Sequence, residues 1–199
     1  MTFRFVDEFE HGFGWVPEGE LLTRTSHAIA VEGRVWVTDP VDGDGIDERI
    51  HALGEPAAVV QLLDRHARDC AVVAKRLGVP LHVVPFDGVQ GAPFDVRPIV
   101  NRKRWQEVAL WFAGEGILVC ADALGSLSYF RGRGEPFGVH PLLRLSPPKR
   151  ALGGLEPRRL LFGHGEGYHG EDGGDALAEV LRTARRRLPA AVLSFFRAG

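Results

Sequence analysis

No stretch of the 199-residue chain approaches the roughly 20 consecutive apolar residues that a membrane-spanning helix needs. The opening Met1-Thr2-Phe3-Arg4-Phe5 lacks the basic-then-apolar pattern of a secretion signal. A cytoplasmic protein is therefore expected. Charge of neither sign is in excess: 24 Lys and Arg oppose 26 Asp and Glu, for a net charge of -2 and a pI of 6.4. Such a chain has no field to hold a nucleic acid or a membrane surface, so the expected partner is a small molecule. Only two cysteines occur, Cys70 and Cys120, too few for a disulfide scaffold and not spaced as a zinc ribbon. The Gly-Lys-Ser/Thr of a P-loop is missing, as is the Gly-x-Ser-x-Gly of a serine nucleophile. No Ser-rich, Pro-rich or charged linker divides the chain, which predicts one domain over residues 1–199.

Glycine and proline are plentiful, at 25 and 13 residues, and predict many tight turns between short strands. Ile29-Ala30-Val31 and Val35-Trp36-Val37 flank Glu32-Gly33 and read as a hairpin. It ends at Thr38-Asp39-Pro40, before a Gly- and Asp-rich loop over 41–45. A short helix is expected over 47–53, stopped by Gly54. A continuous apolar run over 57–63 reads as a buried parallel strand. Ala71, Val72, Val73, Ala74 and Leu77 fall at helical spacing, closed by Gly78, and 81–84 reads as the next strand. Further strands are expected over 107–112, 117–121 and 159–162. The last helix begins near Asp175, with Leu177, Val180, Leu181, Ala184 and Leu188 as its buried stripe. Arg182, Arg185, Arg186 and Arg187 crowd its end, where the helix dipole favours cations.

Three strands end in polar residues: Arg65-His66-Ala67-Arg68-Asp69-Cys70, Ala121-Asp122-Ala123-Leu124 and Phe162-Gly163-His164-Gly165-Glu166. Their order resembles the metallo-β-lactamase superfamily, whose members carry His-x-His-x-Asp-His, Gly-Asp-Ala-Leu and a late Gly-His-Gly. Val35 to Pro40 stands in the place of that family's early strand ending in Asp. The resemblance implies an α/β fold, a four-layer αβ/βα sandwich, and a metallohydrolase ancestry.

It also implies a damaged metal site. Carried over by position, two ligands of the first metal become Arg65 and Ala67, and the third falls in a segment without histidine, at Lys103 or its neighbours Asn101 and Arg102. Asp69, Cys70, Asp122 and His164 remain as candidates for one zinc or manganese ion. That single-ion hydrolase is the alternative; the expected form is a metal-free descendant of a metallohydrolase that binds a small molecule or partner, has no cofactor, and pairs Arg65 with Asp69 or Asp122. Cys70 is either a thiolate at a helix N-terminus or a small buried hydrophobe. Asp39, Arg65, Lys103 and His27 are expected to line the site. His66 falls one position off the ligand pattern, pointing elsewhere, and His169 lies on the glycine-rich loop after His164. The four tryptophans read as core and rim residues.

Overall fold

The computed structural model describes residues 2–20 and 23–188. Its first sheet has six strands in sequence order: β1 (Phe3–Phe9), β2 (Gly12–Pro17), β3 (Ser26–Val31), β4 (Arg34–Thr38), β5 (Glu55–Gln61) and β6 (Leu81–Val83). The first four run as an antiparallel meander, and β4, β5 and β6 are parallel. Parallel neighbours need crossovers, supplied by α1 (Ile46–Leu53) and α2 (Cys70–Leu77). The second sheet comprises β7 (Asp95–Arg102), β8 (Trp105–Phe112), β9 (Ile117–Cys120), β12 (Arg159–Phe162) and β13 (Tyr168–His169), in the order β13-β12-β9-β8-β7. A two-stranded ribbon, β10 (Leu124–Gly125) with β11 (Gly138–Val139), lies between β9 and β12 in the chain. Helices α3 (Lys149–Leu152) and α4 (Gly173–Thr183) complete the described residues.

Side-chain alternation along the strands sorts the core into three slabs. Trp36, Ala58 and Val60 face Val108, Leu110, Val119 and Leu161 between the sheets. The alternate residues Val35, Val37 and Val59 pack on Ile46 and Ile50 of α1 and Val73 of α2. Leu118, Cys120, Leu160 and Phe162 pack on Leu177, Val180 and Leu181 of α4. The result is helix, sheet, sheet, helix, as the sequence predicts. The strands expected over 107–112 and 159–162 are present, the first extended back to Trp105, and the last helix begins at Gly173. Leu188, expected on the stripe of that helix, is half-buried and lies beyond its end.

Six strands escape the sequence reading: β1, β2, β7, β10, β11 and β13. Strand β7 is an edge strand, mostly polar, with Pro98 at a bulge, where proline's missing N–H costs no ladder bond. At an edge of the first sheet, β1 has its own bulge after Val6, where Asp7 adopts a left-handed φ of 53°. No helix is long and apolar enough to cross a membrane among the described residues.

Candidate metal centre

The register of β12 on β9, with Phe162 opposite Cys120, brings the carboxyl ends of those strands level. The chain then delivers Asp122 and His164 to one edge of the second sheet. From the first sheet, β4 delivers Asp39, and the segment after β5 delivers Arg65 and His66. His66, Asp122 and His164 place three ligand atoms within 4.8 Å of one another. His66 Nε2 lies 3.2 Å and His164 Nε2 3.3 Å from the same oxygen, Asp122 Oδ1. Distance alone would make both hydrogen bonds, but neither N–H aims at Oδ1, which accepts no bond. Alignment decides, because N–H···O interactions weaken steeply as they bend.

Each member is held from behind. Asp39, only 2 % exposed, accepts from Leu62 N at 2.8 Å through Oδ1 and from His66 Nδ1 at 2.8 Å through Oδ2. That bond fixes the His66 tautomer and turns Nε2 toward Asp122. Asp39 sits at a left-handed φ of 42°, an uncommon conformation for a non-glycine, held in place by these bonds. Glu107, fully buried, accepts from Asp122 N at 2.9 Å, Ala123 N at 2.6 Å and Trp105 Nε1 at 2.7 Å. Gly163 gives a close fit: a Cβ there would lie 3.0 Å from Ala121 O and 3.1 Å from His66 Cε1, so a side chain would press on the backbone and on the His66 ring. Phe130 stacks on the His164 ring at 6.3 Å, and His140 packs edge-on against Phe130 and Trp105.

Burial alone would raise the Asp122 carboxyl pKa, but His164 and His66 outweigh it and hold the group well below the usual carboxylate range. Burial likewise opposes the His66 imidazolium, but Asp39 and Asp122 reverse the balance and raise it. Burial, reinforced by the Asp122 charge, pushes the Glu107 carboxyl up to about 7 despite its hydrogen bonds.

Several sequence expectations need correction. His66 points into the site, not away from it. With His66 in the second histidine position, the His-x-His-x-Asp-His pattern falls one residue earlier, on Asp64-Arg65-His66-Ala67-Arg68-Asp69. Arg68 then stands where a carboxylate ligand would be. It donates to Thr25 O at 2.7 Å, Asp39 O at 2.8 Å and Gly163 O at 3.0 Å, tying three strand ends together. Asp69 and Cys70 are not in the ligand group. Asp69 Oδ2 accepts from Asp42 N at 2.9 Å, and Cys70 donates weakly from Sγ to His66 O at 3.5 Å within the helix-facing core. Burial, then the Asp39 charge, pushes the Cys70 thiol up, away from a thiolate.

His27 is 1 % exposed and engages Asp7 at 3.1 Å, so it does not line the site. His169 engages the same aspartate at 2.9 Å. Arg65 reaches Asp122 Oδ2 at 3.2 Å, one of the two pairings expected of it. Lys103 is exposed in the turn between β7 and β8, beside Arg104, whose carbonyl accepts from Arg65 Nη1 at 3.1 Å. Gly165 to Gly170 has the Gly-x-Gly-x-x-Gly spacing of a dinucleotide fingerprint, but strand β13 (Tyr168–His169) interrupts it and α4 starts only at Gly173, so its glycines do not form the turn that opens a helix.

Sequence reasoning missed Glu107, His140 and a buried pair, Glu135 with Arg144. Arg144 is 0 % exposed and donates to Glu135 at 2.5 Å and to Phe130 O at 2.6 Å, which braces the wall carrying Phe130 and His140. A lone Glu in the apolar run Glu107 to Phe112 was the available signal for the first of these.

No protein-family model matches this sequence, and no curated protein matches it. Solved structures do match. The chain has the metallo-β-lactamase fold. It covers 96 % of its length and 98 % of the DIM-1 metallo-β-lactamase exposed to ceftazidime, with a TM-score of 0.56 and 13 % identity. Against TMB-1 the TM-score is 0.57 at 12 % identity, covering 96 % of this chain and 99 % of that one. Against the mono-zinc form of the FIM-1 metallo-β-lactamase from Pseudomonas aeruginosa it is 0.57 at 10 % identity, covering 93 % and 97 %. At such identities the likeness concerns the fold.

Proposed function

We propose that this metallo-β-lactamase-fold chain carries a mononuclear metal centre of the hydrolase type, held by His66, Asp122 and His164. The observation that carries the reading is the placement of two imidazole Nε2 atoms 3.2 and 3.3 Å from Asp122 Oδ1 without a hydrogen bond to it. Ligands of a tetrahedral zinc at about 2.0–2.2 Å stand about 3.3–3.6 Å from each other, so the spacing suits neighbours around one cation. The donor set fits a divalent ion: two neutral imidazoles and one carboxylate leave a position open, as catalytic sites do. Buried His164 Nδ1, likewise without a partner, adds a second unsatisfied polar atom at the same place.

A divalent ion held there supplies Lewis acidity to water and to a polarised substrate group. The chain's own residues do the rest. Asp39 keeps the proton on His66 Nδ1, so that Nε2 offers its lone pair. Arg65 engages Asp122 Oδ2, which leaves Oδ1 as the free ligand atom. Glu107 fixes the backbone from which Asp122 projects. Arg68 and Lys103 occupy positions where the resemblance calls for ligands, which argues against a second ion. That one neighbour of the same fold is described in a mono-zinc form accords with single occupancy.

The metal-free reading keeps its own support. Arg65 already partners Asp122, and a protonated His66 would offset the Asp122 charge without any ion. Metal analysis of protein purified without chelator, before and after zinc or manganese addition, separates the two. One ion per chain, lost in His66→Ala and His164→Ala but kept in Cys70→Ala, is the expected result. A wild type that takes up no metal gives the metal-free binder.

A further inference from the structure

We propose that the ligand of this site carries a compact oxyanion, a phosphate or a carboxylate, bound by Arg65 together with the cationic turn Arg102-Lys103-Arg104. The inference rests on His66, Asp122 and His164 being the ligand-facing site.

Arg65 is the only guanidinium that touches the site from the solvent side among the described residues: its side chain is 46 % exposed, whereas Arg68 is spent on three backbone carbonyls. Its cationic carbon lies 4.9 Å from the centre of the Trp105 ring, and Trp105 is pinned by Glu107. The group therefore sits over an aromatic face. Of its five N–H donors, one goes to Asp122 Oδ2 and one to Arg104 O, both from the terminal nitrogens. Asp64 Oδ1 stands 3.8 Å from Nη1, beyond hydrogen-bond reach, so three N–H donors remain for a planar acceptor, the geometry in which arginine recognises carboxylate and phosphate.

The turn that receives Arg65 is itself strongly cationic. Arg102, Lys103 and Arg104 are consecutive and exposed, and none joins an ion pair among the described residues. Other exposed arginines, Arg34, Arg131, Arg133 and Arg158 among them, also join no ion pair among the described residues, so what sets this turn apart is that Arg104 O accepts a hydrogen bond from the Arg65 side chain at the site. In a chain of net charge -2, three unneutralised cations joined by a hydrogen bond to the side chain over Asp122 form a local field for an anion.

Inorganic phosphate and acetate serve as probes, titrated into chelated and zinc-loaded protein and followed by calorimetry and tryptophan fluorescence. Trp15, Trp36 and Trp111 are buried, so a change in emission reports the half-buried Trp105 under Arg65. Saturable binding below about 10 mM is expected, weakened about tenfold or more in Arg65→Gln, as suits the loss of a charge-assisted hydrogen bond. The double variant Lys103→Glu, Arg104→Glu changes only exposed side chains and should weaken binding comparably, with a steeper loss at low salt. The probe that binds more tightly identifies the oxyanion. No saturable binding of either probe, or variants that bind as tightly as wild type, overturns the proposal. Metal content measured on the same samples keeps the readings apart. Zinc uptake without anion binding defeats this inference alone, and anion binding to a chain that takes no metal defeats the metal centre alone.

Discussion

Two aspartates in this chain each lie between two histidines, yet they are built for different purposes. Asp7 accepts from His27 Nε2 at 3.1 Å through Oδ2, and from His169 Nε2 at 2.9 Å and Gly167 N at 2.8 Å through Oδ1. Both oxygens are satisfied, and the cluster clasps the bulge of β1 to β3 and to the loop that enters β13. Asp122 also faces two imidazoles, but its Oδ1 accepts from neither. In both cases burial opposes the charge and the histidines overcome it, so both carboxyls are held low. Titration behaviour therefore does not separate structural from functional clusters here. Hydrogen-bond satisfaction does: a saturated carboxylate is a clasp, and an unsaturated one has capacity left for a ligand.

The largest expected effect breaks the comparison if it fails. Asp7→Ala strands buried His27 without its partner and should cost about 3–5 kcal/mol in a denaturant titration, with zinc uptake retained by the folded fraction. Asp122→Asn should do the reverse, costing the fold much less and abolishing stoichiometric zinc. Equal stability losses in the two variants would show that the clusters do the same job.

Next in size is the effect of metal on stability. With zinc at about 100 times its dissociation constant, wild type should gain about 2.7 kcal/mol, and Asp122→Asn none. The gain should shrink as pH falls through the folded value of His66, which its neighbours raise above the ordinary value near 6.5, because His66 must release its proton to bind. A gain that grows on acidification would exclude an imidazole ligand.

The third prediction sets two buried carboxylates against each other. Asp7 is held low in the fold, so its stabilisation is full above the ordinary carboxylate value near 4 and is lost as pH falls through the folded value. Glu107 is pushed up to about 7, so the fold favours its neutral form. Its contribution is full below the ordinary value and is lost as pH rises toward 7, with a slope of at most about 1.4 kcal/mol per pH unit. Stability measured from pH 3 to 8 should rise and then sag. Asp7→Asn should flatten the acid limb, and Glu107→Gln the limb between about 4 and 7.

The layers of this fold were legible because buried strands write themselves as apolar runs, as over Val59-Val60 and Leu160-Leu161-Phe162. Asp122 and His164 were legible because each follows such a run within two residues. His66 was not, because a motif aligned on the pair Asp69-Cys70 differs by one residue from one aligned on His66, and only the direction of a side chain tells them apart. Strand β7 was hidden by its polarity and Pro98. The Asp7 clasp was hidden because its members come from residues 7, 27 and 169, with no local pattern linking them.

The smallest expected effect tests that one-residue difference. Under the sequence alignment, Cys70 is a metal ligand; in the structure it packs among Ala74, Val73 and Ile50 and its thiol is pushed toward the neutral form. A neutral buried thiol is a poor ligand, because binding needs the thiolate. Cys70→Ala removes one sulfur from a packed interior and should cost about 1 kcal/mol, as a small cavity does. Zinc stoichiometry and affinity should stay within about twofold, well short of the roughly tenfold or greater change that follows disturbance even of a residue supporting a ligand. A loss of metal in Cys70→Ala, with the fold intact by denaturation, would restore the alignment on Asp69-Cys70 and remove His66 from the site.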